Sequence, residues 1–84
     1  MKYEIDLTDT QDLALQYVAL SPLDWITNVV YERCRIATDE IVQIAVERYL
    51  SEGIQIPGSK DDIVLDAFAR GWVVKAADLP NPVV

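Results

Sequence analysis

The segment DEIVQIAVERYL, residues 39–50, decides the fold class, because it reads as helix yet is apolar on too many sides. On a 3.6-residue wheel, Ile41, Val42, Ile44, Ala45, Val46, Tyr49 and Leu50 span roughly 240° of arc, where an ordinary surface helix shows about 100° or a little more. Only Glu40, Gln43 and Glu47 make a clear polar strip. Upstream there is no Gly or Pro back to Pro22, and downstream none until Gly53. One central helix of about 30 residues follows, ~45 Å long. A compact domain of this chain length has a radius of gyration of only ~12 Å. A straight helix would therefore overhang its own domain. Either it kinks near Thr38, or another chain covers the overhang.

The flanks supply the remaining elements. Residues 2–7, KYEIDL, alternate strictly, with Tyr3, Ile5 and Leu7 on one side and Lys2, Glu4 and Asp6 on the other. That pattern predicts a short N-terminal strand. Thr8 with Gln11 forms a capping-box pattern, so a first helix begins near Asp9, with Leu13, Tyr17 and Leu20 on its apolar side. Ser21, Pro22 and Asp24 are a natural cap, first helical residue and dipole partner for the long helix. Gly53 is a plausible C-terminal cap. Ile54 and Ile56 then form a short extended piece before the Pro57–Gly58 turn. If that piece is a strand, it pairs with residues 3–7 as a two-stranded ribbon. Ser59 with Asp62 starts a third helix that Gly71 closes, with Ile63, Val64, Ala67 and Phe68 inward. The expected fold is mainly α: three helices, one of them long and central, plus the N-terminal strand. Residues 1–74 are read as a single small helical domain and 75–84 as an extended C-terminal tail.

Size and composition narrow the function. A domain this small buries only about 60–65% of the surface its unfolded chain exposes, so its own core is marginal. Cys34 is the only cysteine, so no internal disulfide forms, and histidine is absent, so the usual zinc sites are excluded. No cofactor is expected. MKYEIDL lacks the apolar run of a signal peptide, and no stretch approaches a membrane span. The net charge is −7, and the seven bases are scattered, which argues against direct nucleic-acid binding. An 84-residue chain without a histidine base or a Gly-rich phosphate loop is read as no enzyme.

Individual residues carry competing readings. Cys34 lies on the shared stripe of the long helix with Ile26, Val30, Ala37, Ile41, Ile44 and Ala45, and reads as a buried small hydrophobe rather than a reactive thiol. Leu13 and Phe68 join these in the expected core. Asp9, Asp12, Asp24, Asp61 and Asp62 fall in first helical turns, where the helix dipole favours them. Asp62 and Asp66 share a helical face but match no calcium loop. Trp25 leans to core, whereas Trp72 is divided between core and interface. Two accounts compete for the excess apolar arc. The chain's own elements cover it, or part of it is a subunit or partner interface. Core size and helix length favour the second. The interface candidates are Tyr3, Ile5 and Leu7 of the terminal strand, Val42, Val46, Tyr49 and Leu50 of the long helix, and Trp72.

Taken as strings, YEIDLTD, SPLDWITN, RCRIATDEIVQ and IPGSKDDIVLDAF resemble a group of small uncharacterised proteins of tailed phages, notably phages of aquatic and cyanobacterial hosts. The resemblance spans about residues 3–74. It implies a non-enzymatic structural or assembly protein acting through protein–protein contacts in the neck, tail, baseplate, fibre attachment or capsid decoration. Its expected place is the virion, or the host cytoplasm during assembly. Its expected partners are further copies of itself, as a homo-oligomer, or another phage structural protein. The net charge supports an alternative: an acidic binder of a host or phage regulatory protein that blocks a nucleic-acid-binding surface.

Overall fold

Three helices make up the regular structure of the computed structural model, which describes residues 1–79. The order is α1 (Asp9–Val18), α2 (Pro22–Glu52), α3 (Lys60–Ala69) and a single 3-10 turn, Ala76–Asp78. The class is mainly α, as the periodicities predict. Residues 1–7 and 54–57 carry no strand, and no strand occurs among the described residues. The expected N-terminal strand and two-stranded ribbon are therefore corrected. The alternation of KYEIDL is present but finds no edge to pair with. Residues 54–56 are taken up by the exit from α2. Of the expected extended tail, Ala76–Asp78 is helical, and residues 80–84 lie outside the described residues.

Each helix starts where its cap dictates. Thr8 closes a full capping box: its Oγ1 accepts from the Gln11 N–H at 3.2 Å, and Gln11 Oε1 accepts from the Thr8 N–H at 3.0 Å. Ser21 Oγ accepts from the Asp24 N–H at 3.4 Å, and Ser59 Oγ from the Asp62 N–H at 3.1 Å. These side chains satisfy amides that the first helical turn leaves without a partner. α2 runs uninterrupted through Thr38 for 31 residues, about 46 Å at 1.5 Å per residue.

α2 and α3 end alike. Gly53 and Gly71 adopt φ of 66° and 73°, the left-handed region where a side chain is disfavoured. Beyond each glycine the next amide turns back five residues: Ile54 N–H donates to the Tyr49 carbonyl at 2.9 Å, and Trp72 N–H to the Ala67 carbonyl at 3.0 Å. This is the Schellman arrangement, and it characteristically brings the residue after the glycine back onto the helix. Ile54 and Trp72 accordingly pack against the core.

The chain divides into two compact units, Met1–Arg33 and Cys34–Val84, with the division inside α2. The first unit holds α1 and the start of α2. Only Ala19 is buried there, with Leu15, Pro22 and Ile26 half-buried. The core lies in the second unit. Ala45 and Tyr49 of α2 and Ile63 and Ala67 of α3 are its buried residues, flanked by Ile41, Val42, Ile54, Trp72 and Val73. None of the eight residues expected at the centre is fully buried. Ile26, Ala37 and Ile41 are half-buried, whereas Leu13, Val30, Cys34, Ile44 and Phe68 are exposed.

Candidate interaction surface

The polar face of the second unit is tied to itself. Tyr49 is fully buried as a residue, and its Oη donates to Asp66 Oδ2. Arg70 Nε donates to the same oxygen at 2.7 Å. These donors, Tyr49 first and Arg70 second, hold the Asp66 carboxyl below the ordinary carboxylate value. Burial, then the hydrogen bond to Asp66, pushes the Tyr49 hydroxyl above its ordinary value. The Trp72 ring meets Tyr49 edge-on, 4.8 Å between centroids. The guanidinium groups of Arg48 and Arg70 stand 5.5 and 5.3 Å from the Trp72 centroid. Lys60 Nζ reaches back to Asp39 Oδ1 at 3.0 Å, and this bond leads the causes that lower the Asp39 carboxyl.

An open groove of about 600 Å³ runs beside this cluster, lined by Gln55, Pro57, Asp62, Leu65, Asp66 and Arg70 among others. Its Asp66 carboxylate is held ionised by two donors, which is the wrong poise for a general acid or base near neutral pH. Among the described residues, no group of three or more Cys, Asp or Glu is placed to hold a metal ion, and no helix is long and apolar enough to cross a membrane.

The structure separates the eight interface candidates. Tyr3, Ile5 and Leu7 are exposed, Tyr3 at 84%, as is Leu50. Val42, Val46 and Trp72 are half-buried, Val42 and Trp72 against the core. Tyr49 belongs to the core itself and presents no outer surface. In the second half of the long helix, Ile41, Val42, Ala45 and Tyr49 pack with α3 and the two Schellman exits, while Ile44 and Leu50 remain exposed. Trp72, divided on sequence between core and interface, sits with the core.

The larger apolar surface lies elsewhere. In the first unit Leu13, Tyr17, Val18, Leu20, Leu23 and Tyr31 are exposed, Tyr17 at 91%, and Trp25, Val29 and Val30 are each close to half exposed. Sequence reasoning placed Leu13 and Val30 in the core and leaned the same way for Trp25. The available signal was that α1 is only ten residues long. So short a helix cannot cover both the Trp25–Val29 side of α2 and the Leu23–Val30 side, which lie more than 100° apart on the wheel.

No family model, no curated protein and no solved structure matches the chain.

Proposed function

We propose that the chain is a non-enzymatic docking module of a phage particle, acting through protein–protein contacts in the virion or during its assembly. The observation that carries the docking role is the apolar surface of the first unit: Leu13, Tyr17, Leu23, Trp25, Val29 and Val30 face solvent in a chain whose core is built from other residues. Exposed large apolar side chains in such number mark interaction sites on soluble proteins. Trp and Tyr are enriched where binding energy concentrates. The phage setting rests on the resemblance of residues 3–74 to small tailed-phage proteins.

Mass spectrometry of purified virions tests the setting, by asking whether the chain is present at stoichiometric copy number. Its absence from virions and from assembly intermediates defeats the phage-particle role. Sedimentation of the purified chain with and without candidate virion proteins tests the docking. A chain that stays monomeric in every mixture defeats that part.

A further inference from the structure

α2 carries two charges that its own chain leaves unanswered. Among the described residues, Arg33 and Glu40 are exposed and meet no opposite charge at ion-pair distance. Helix geometry gives the reason. Side chains three and four positions apart are neighbours on a helix. At those offsets Arg33 meets only Val29, Val30, Ile36 and Ala37, and Glu40 only Ile36, Ala37, Gln43 and Ile44. Asp39, by contrast, has Arg35 and Lys60, and Glu52 has Arg48. Beside the two charges, on the same uninterrupted helix, runs a heptad stripe. Thr27, Val30, Cys34, Ala37, Ile41 and Ile44 recur at alternating steps of three and four, the spacing of a two-helix seam. Val30, Cys34 and Ile44 are exposed, and Thr27, Ala37 and Ile41 are half-buried. Arg33 and Glu40 immediately precede Cys34 and Ile41, which puts both on one flank of the stripe, where charges choose partner and orientation.

A second copy laid antiparallel along this stripe answers both charges. With Cys34 opposite Ala37 of the second copy, Val30 falls opposite its Ile41 and Thr27 opposite its Ile44, and a two-fold axis repeats each contact. Arg33 then faces Glu40 of the second copy, and Glu40 faces its Arg33. Sliding one copy by a heptad sets Arg33 against Arg33 in one direction and Glu40 against Glu40 in the other, and like charges so placed repel. A parallel pair sets the same two positions opposite Thr38 and Ala45 and leaves both charges unanswered. The pattern is self-complementary in one orientation and one register, which selects a copy of this chain over a different protein. We infer that the chain forms an antiparallel two-fold dimer along residues 27–44 of α2, held in register by reciprocal Arg33–Glu40 pairs. This goes beyond the docking role proposed above, and the two fail separately.

The test is sedimentation equilibrium of the full chain under reducing conditions, at ~0.15 M salt so that the net charge of −7 on each copy is screened beyond ~8 Å. The chain is expected to dimerise. Arg33→Glu alone and Glu40→Arg alone each turn two attractive contacts into two repulsive ones, and each is expected to weaken the dimer at least tenfold. The double variant, Arg33→Glu with Glu40→Arg, reverses both pairs and is expected to restore the dimer to within about threefold. Both residues are exposed and lie away from the ends of α2, so neither change touches a helix dipole, and circular dichroism should stay the same in all three variants. A chain that stays monomeric, a single reversal that leaves the dimer at full strength, or a double reversal that fails to recover it overturns the inference. If the chain is monomeric alone yet sediments with a virion protein, the dimer falls while the docking role stands. If it is monomeric in every mixture, both fall.

Discussion

Asp66 accepts two hydrogen bonds on one oxygen, and that arrangement makes stability depend on pH at both extremes. Its carboxyl lies below the ordinary value of 3.8 because Tyr49 and Arg70 donate to the ionised form. Asp39 is lowered in the same direction by Lys60. A lowered carboxyl contributes its full stabilisation above the unfolded value and loses it as pH falls through the folded one. The thermal midpoint should therefore drop as pH falls past 3.8, and Asp66→Asn should flatten that acid limb; melting curves followed by circular dichroism check both. Tyr49 has the opposite sign. Its hydroxyl is raised above 10.0, mainly by burial. That contribution is complete below 10.0 and fades as pH climbs through the raised value, so an alkaline decline is expected and Tyr49→Phe should remove it. Gly71 gives a second prediction at this scale. A Cβ there meets nothing within 4 Å, so Gly71→Ala isolates the cost of a left-handed backbone, about 1–2 kcal/mol. Denaturant melts should show that loss with an unchanged slope. A neutral result would mean that the Schellman exit of α3 adds nothing to stability.

At the scale of elements, starts and stops were legible because they are local chemistry. Thr8, Ser21 and Ser59 announce their helices, and Gly53 and Gly71 close theirs, within a few residues of sequence. Thr8→Ala should accordingly loosen α1 by about 1 kcal/mol, visible as faster amide exchange over residues 9–12 with little change in α3. The strand at residues 2–7 was misread for the converse reason. Alternation records which side chains are apolar, but a strand exists only where a neighbouring backbone supplies hydrogen bonds, and none does among the described residues. The core was misplaced on similar grounds. The stripe read along α2 put Val30, Cys34 and Ile44 in the core, and these are exposed. The packing centres on Ala45 of that stripe and on Ile63 and Ala67, which were read as inward on α3, with the ring of Tyr49, read as an interface candidate, beside them.

For the whole molecule, the opening excess of apolar arc divides between two outcomes. Of the apolar residues in 39–50, Ala45 and Tyr49 are buried and Ile41 and Val42 pack against the core with Ile54 and Trp72, Ile44 and Leu50 stay exposed, and α1 and residues 22–33 keep most of theirs in solvent. The existence of surplus apolar surface was thus readable from length and composition. Its address was not, because that depends on which short helix covers which half of a long one. The division has a mutational consequence. Val29→Asp places a charge where the side chain is already half in water, so the melting temperature should move little while any complex formed through the first unit is lost. A variant that unfolds would instead show Val29 to be part of a core.

The exposure of Cys34 bears on how any such complex is measured. A lone accessible thiol partway along a long rod is free to couple covalently with its twin in air. A preparation stored without reductant would then contain linked pairs that elute as a dimer while owing nothing to recognition. The same thiol, capped by a small fluorophore or spin label, becomes a native reporter on α2, with no substitution needed to install it.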